Sequence, residues 1–248
     1  MLIRIGRNIN KNTFFTSSEL NNYSIIMHRF GTRRDGLIPG RSTDANYLEL
    51  CREKAAETIG MSSDDIVCLE QVHSNNVIEV NKGGVYRNAD GVISDTKGIY
   101  LTIQTADCAP IFLFAPKQEV IAAVHGGWRG IAGDILFNAI KMLHNQYQIT
   151  PAELKVTVGP SLKKCCFEIG TDVLDIFEKQ FIISQNKRYY LDFSNLIKSK
   201  LLQAGIENNN IEIIQQCTMC NNDIFYSYRG DNQQTGRMLN IIGMEMDS

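Results

Sequence analysis

What the chain lacks narrows its possibilities first. No stretch reaches the roughly 18 consecutive apolar residues that a membrane-crossing helix needs. The opening MLIRIGRNINKN has neither the apolar core nor the cleavage site of a secretory leader. With 25 Lys and Arg against 27 Asp and Glu, the net charge is −2, so no field of one sign favours a nucleic acid or an anionic membrane as partner. There is no G-x-x-x-x-G-K-[ST] phosphate loop and no G-x-G-x-x-G dinucleotide fingerprint. No Pro/Ser-rich linker and no internal repeat divides the 248 residues, which are enough to bury a sizeable core. One domain spanning 1–248 is expected. Seven cysteines form an odd, sparse set. Without an export signal the expectation is the reducing cytoplasm, with thiols that are free, buried, catalytic or metal-bound.

Apolar periodicity predicts strands at 23–30, 66–72, 77–80, 89–94, 100–105, 111–114, 120–125, 154–158, 211–215 and 225–228. It predicts helices at 45–59, 131–147, 172–181 and 193–204, and a Gly/Arg-rich loop, FGTRRDGLIPGRS, over 30–42. Strand runs mixed with intervening helices do not repeat a regular strand–helix unit. The expected class is α+β, with mixed β-sheets packed as a sandwich and helices on the outside.

Three short motifs carry chemistry: EQVHSNNV, TADCAP and VHGGWRG. They contribute His73, Cys108 and His125, each at a strand end or loop, where a scaffold can aim side chains into a common cleft. Two imidazoles and a thiolate can hold a zinc ion and leave one coordination position open, as catalytic zinc sites do. The ordinary alternatives are a packed or capping His and a small buried Cys. Asp107 precedes the thiol and is a candidate base or support for a ligand. Gly126 and Gly127 let the backbone approach a ligand closely. Arg129, just before an expected helix start, suits an anion. A lone Trp, Trp128, is either core or a stacking platform for a base. CTMC has C-x-x-C spacing. With Cys165 and Cys166 it forms a second metal site or redox centre, or simply thiols near a turn.

TADCAP, VHGGWRG, GPSLKKCCFEIG and CTMC…FYSYRGDNQQTGR together resemble the bacterial laccase-domain, or multicopper polyphenol oxidase, family. The match runs from FGTRRDG to TGRML. The resemblance implies an α/β/β/α-like sandwich related to the catalytic domain of a deamidating toxin, and a metal triad at His73, Cys108 and His125. It also implies purine nucleoside phosphorylase activity on adenosine, inosine, guanosine and methylthioadenosine, with adenosine deaminase activity alongside. The chain departs from the family pattern at Gly126, usually alanine, and at Gly230, usually arginine. The segment after TRRDG is short, and Asn46 matches the asparagine that usually opens the following helix.

Four histidines, His28, His73, His125 and His144, cannot build a blue copper centre plus a three-copper cluster, so a true laccase is excluded. Zinc is the expected cofactor, with copper possible because Cu²⁺ outranks Zn²⁺ in affinity at such N/S sites. Phosphorolysis requires arginines for phosphate, and Arg33 and Arg129 are the candidates, with Arg34, Arg229 and Arg237 behind them. Deamination requires a water made acidic by zinc, with its pKa brought toward about 7, and a carboxylate proton carrier, Asp107 or Glu168. The expected partners are purine nucleosides and phosphate, with no nucleic acid or membrane, for a monomer or homodimer. A metal-independent thiol hydrolase or deamidase using Cys108 and His125 is the alternative.

Overall fold

The computed structural model describes residues 6–7, 13–36 and 45–246. Residues 37–42 of the expected Gly/Arg-rich loop lie outside the described residues. The chain opens with β1 (Gly6–Arg7), β2 (Thr13–Phe14) and β3 (Ile26–Phe30), followed by α1 (Ala45–Ile59). Next come β4 (Ile66–Leu69), β5 (Val77–Glu79), β6 (Gly84–Tyr86), β7 (Gly91–Ser94), β8 (Tyr100–Thr105), β9 (Ala109–Ala115) and β10 (Val120–Gly126). Helices α2 (Trp128–Ala132) and α3 (Ile135–Tyr147) lead to β11 (Lys155–Val158), β12 (Glu168–Ile169), β13 (Ile182–Gln185) and β14 (Arg188–Leu191). The last elements are α4 (Phe193–Gln203), β15 (Ile211–Ile213) and β16 (Met238–Met244).

Two large sheets dominate. One has the order β3-β16-β8-β4-β6 and the other β15-β11-β9-β10-β7-β5. Alternating side chains place the layers. Phe112 and Phe114 of β9 point into a core shared with Phe30, Leu101, Ile103 and Ile242 of the facing sheet. Their neighbours Ile111 and Leu113 point the other way, onto Ile135, Ala139 and Ile140 of α3 and Ile197 of α4. On the far side of the five-stranded sheet, Leu48, Cys51 and Ala55 of α1 cover Ile66, Cys68 and Ile241. The result is an α/β/β/α sandwich of the expected α+β class. Strands covered on both faces read as unbroken apolar runs, and APIFLFA of β9 is buried at every position.

Three sequence expectations need correction. The helix expected over 131–147 starts at Trp128 and is broken. Asp134 takes a left-handed backbone (φ 64°), and Asn75 Nδ2 caps the preceding Gly133 carbonyl at 2.7 Å. The 172–181 helix is absent: short 3-10 turns at Thr171–Val173 and Lys179–Phe181 replace it. Phe177 and Phe181 there are drawn into the core beside α4, and so short a segment takes the form its packing dictates. The strand expected at 225–228 is a chain of turns, with Ser227 and Thr235 donating to Asp231. The periodicity also passes over β16, which lies between β3 and β8 and pairs antiparallel with both.

Candidate metal centre

The chain passes repeatedly between the two sheets, and two of those crossings build the site. The connection from β4 to β5 carries His73 from one sheet to the other, and the connection from β8 to β9 carries Cys108. His125 sits near the end of β10, opposite Pro110 of β9, two residues from the thiol in sequence. The donor atoms of His73, Cys108 and His125 all lie within 4.8 Å of one another. Cys108 Sγ is 3.9 Å from His73 Nε2, and the two imidazoles meet edge to face with centroids 4.8 Å apart. Gly127 lies against all three. A Cβ there would fall 2.9 Å from His73 Cδ2, 3.5 Å from Cys108 Sγ and 3.6 Å from His125 Cε1. At Gly126 a Cβ would fall 2.8 Å from the Ala109 carbonyl, so an alanine there would crowd this strand pair.

A residue the sequence reading passed over organises the centre. Asp90, fully buried just before β7, accepts hydrogen bonds from the backbone N–H groups of Val72, His73 and Ser74 at 3.2, 3.0 and 2.7 Å. Three successive amides around one carboxylate form an anion-holding nest, and His73 adopts a left-handed backbone within it (φ 60°). The same carboxylate lies 2.8 Å from His125 Nδ1. That contact directs Nε2 toward the other donors, in the carboxylate–histidine arrangement typical of zinc sites. The readable signal was an aspartate heading the apolar strand GVIS.

The electrostatics follow from these contacts. Burial alone would push the Cys108 thiol up, but the facing His125 and His73 imidazoles bring it down to about 6. Burial alone would make His125 less basic, but Cys108 and Asp90 raise it to about 9. Asp90 titrates below the ordinary carboxylate range despite its burial, because His125 and Ser74 hold it ionised. A chain of carboxylate, imidazole and thiolate results.

The centre opens on a cavity of about 480 Å³, within the range of about 300–1,000 Å³ usual for ligand pockets. Trp128, Phe167 and Tyr228 give it aromatic walls, and Arg129, Arg229 and Arg237 give it positive charge. The exposed Arg129 stacks on Trp128, its guanidinium 4.4 Å from the ring centre. Arg229 donates to the Cys166 and Glu168 carbonyls, and Arg237 to those of Thr235 and Gly236. Asp107 lines the cavity and accepts from Thr218 Oγ1 at 2.6 Å and the Arg229 amide at 2.8 Å. Glu168 instead lines a neighbouring cleft and pairs with Arg188. Arg33 is not brought to the cavity. It clasps Asp231 through two contacts of 2.5–2.6 Å, donates to the Asn222 and Phe225 carbonyls, and stacks on Tyr226.

These features define a mixed α+β sandwich with a two-histidine, one-cysteine centre where its sheets exchange chain. Residues 40–245 match the family described as multi-copper polyphenol oxidoreductase laccase, and the chain belongs to that family. It is 30% identical over 210 residues to purine nucleoside phosphorylase YlmD of Geobacillus stearothermophilus, covering 77% of each chain. It is 31% identical over 232 residues to a purine nucleoside phosphorylase of Deinococcus radiodurans, covering 88% of this chain and 89% of that one. The crystal structure of YlmD from Geobacillus stearothermophilus superposes with a TM-score of 0.87, 24% identity, and 99% and 100% coverage. No helix among the described residues is long and apolar enough to cross a membrane.

Proposed function

We propose that the chain is a purine nucleoside phosphorylase acting in this cavity. Its substrates are adenosine, inosine, guanosine and methylthioadenosine, and the same site deaminates adenosine. The observation that carries the reading is the convergence of three metal donors on one cavity that offers both aromatic faces and guanidinium groups. The names of the two relatives support the substrate class. In phosphorolysis the bond from C1′ to the purine nitrogen breaks, and its electron pair leaves with the base, which takes up a proton. A phosphate oxygen then forms the new bond to C1′. Trp128 offers the base a stacking face, and Arg129, with no carboxylate partner among the described residues, offers phosphate a planar fork.

The donor set fits zinc. His125 keeps Nε2 for a metal because Asp90 engages Nδ1, and the spread of the donors suits one ion with bonds of about 2.0–2.3 Å. A zinc ion held by His73, Cys108 and His125 would supply Lewis acidity at an open fourth position; copper is the other ion such a set accepts. Deamination adds water at C6 of adenosine and releases ammonia, giving inosine. Asp107 carries the proton in this reading, because it lines the cavity and Glu168 does not. The setting it calls for is the reducing cytoplasm, where Cys108 stays a thiol.

The test is to incubate the purified chain with each nucleoside, with and without phosphate, and to follow free base and inosine by chromatography. Phosphate-dependent base release and inosine from adenosine are expected; the absence of both sinks the reading. One observation favours a second reading. Asp90, His125 and Cys108 also form the orienter, base and nucleophile of a thiol hydrolase or deamidase. Rapid alkylation of Cys108 in protein that holds no zinc and turns over no nucleoside would select it.

A further inference from the structure

Four of the seven cysteines stand apart from the His/Cys centre and converge on one another. Cys165 and Cys166 lie in the turn begun by Lys163, whose carbonyl accepts from the Cys166 and Phe167 amides. Cys217 and Cys220 bracket a second turn, closed by the Asn221 amide on the Cys217 carbonyl at 3.1 Å. All four sulfurs lie within 4.8 Å of one another. Cys220 Sγ is 3.5 Å from Cys165 Sγ and 3.4 Å from Cys166 Sγ. None is joined in a disulfide. With bonds of about 2.3 Å, four sulfurs around zinc stand about 3.8 Å apart, inside the observed spread.

We propose that Cys165, Cys166, Cys217 and Cys220 form a second, closed metal site that holds a structural zinc ion. The donors are all soft sulfur, which selects zinc over the hard oxygen-seeking cations. Four ligands from the chain complete a tetrahedron and leave no position for substrate, unlike the His/Cys centre. On binding, four S–H groups release four protons, four zinc–sulfur bonds form, and no electrons move. The product carries two negative charges. The buried Lys163 ammonium, which lines one cleft together with Cys165 and Cys217, offsets that charge.

The position explains the use of such an ion. Cys217 bridges in parallel to Ser161, and its neighbour Thr218 holds Asp107, next to Cys108. The Cys166 carbonyl holds the Arg229 side chain. Leu162, Phe167 and Arg229 are cavity walls. A zinc ion here therefore fastens together loops that shape one side of the cavity, and this holds whatever substrate the cavity takes.

The experiment is metal analysis of the full chain, purified anaerobically with reductant from zinc-supplied cells. Two zinc ions per chain are expected, one after Cys108→Ala, one after Cys217→Ser with Cys220→Ser, and none when the changes are combined. Because the serine pair can disturb folding, cobalt replacement in the Cys108→Ala chain gives a second readout. Thiolate-to-cobalt charge-transfer absorption must persist there, since all its sulfur comes from the four cysteines. A Cys108→Ala chain that binds neither zinc nor cobalt overturns the proposal. So does native mass spectrometry of the anaerobic protein that shows a disulfide among the four cysteines in place of bound metal.

Discussion

The two halves of the cavity are made differently. The half bearing His73, Cys108 and His125 is anchored by strand ends, with β9 and β10 in continuous register from Val120 to Gly126 and Asp90 tying in the His73 loop. The other half is a stack of turns at 161–168 and 217–231, with little ladder pairing. It is held by side chains reaching backbone: Arg33 on the Asn222 and Phe225 carbonyls, Arg229 on those of Cys166 and Glu168, and Asp107 on the Arg229 amide. Buried ladders place reacting groups firmly, whereas turns held by single contacts shape and adapt the wall. In the proposed reading the reacting atoms belong to the sandwich, and selectivity belongs to the loops.

Changes in the strand-built half should damage chemistry most. Cys108→Ala should abolish one bound metal and cut kcat by at least about 100-fold, because it removes a ligand outright; elemental analysis and steady-state rates check both. Asp90→Asn should weaken metal affinity or activity by about 10–100-fold, the usual loss when the partner of a ligating histidine is changed. A competitive chelator titration measures the affinity. Arg33→Ala, in the loop-built half, should lower unfolding stability by about 1–3 kcal/mol, since it strands a carboxylate and two carbonyls, and leave the KM for phosphate unchanged. Arg129→Ala should do the reverse, raising that KM by about tenfold, the worth of one charged hydrogen bond, with little change in Tm. A rise in phosphate KM in the Arg33 variant would erase the distinction.

The smallest expected effect is acid loosening. Asp231 titrates below the ordinary carboxylate range: burial opposes ionisation, but Thr235, Arg33 and the Ser227 amide outweigh it. Its contribution is therefore present above the unfolded pKa, near 3.9, and is lost as pH falls through the lower folded value. Amide exchange should show 222–235 losing protection on acidification before β9 and β10 do, and Asp231→Asn should remove that difference.

The parts of the fold readable in the sequence are those where local pattern and tertiary burial agree. Helix α1 spans the expected residues, because Leu48, Cys51 and Ala55 recur at helical spacing on a half-covered element. The β13–β14 hairpin was not legible. Its two-residue turn is Asn186-Lys187, both left-handed, where Asn-Gly is the usual signal. MLNIIGM of β16 is apolar at nearly every position, yet its place between β3 and β8 is set by pairing across more than 130 residues, which no local window registers. In the site, the convergence of His73, Cys108 and His125 and the place of Arg129 at the cavity were legible from the motifs, but the placement of Arg33 was not. A guanidinium in a Gly-rich loop reads the same whether it faces phosphate or clasps a remote carboxylate, and Asp231 lies 198 positions away from Arg33.

Asp90 is joined at once to the loop of His73 and to the ring of His125. Two of the three candidate ligands therefore share one point of failure, and a lineage that loses this carboxylate loses the aim of both together. Decay of the centre by drift should then be abrupt rather than graded. A descendant with His73, Cys108 and His125 intact but another residue at 90 is a marker of a site already retired.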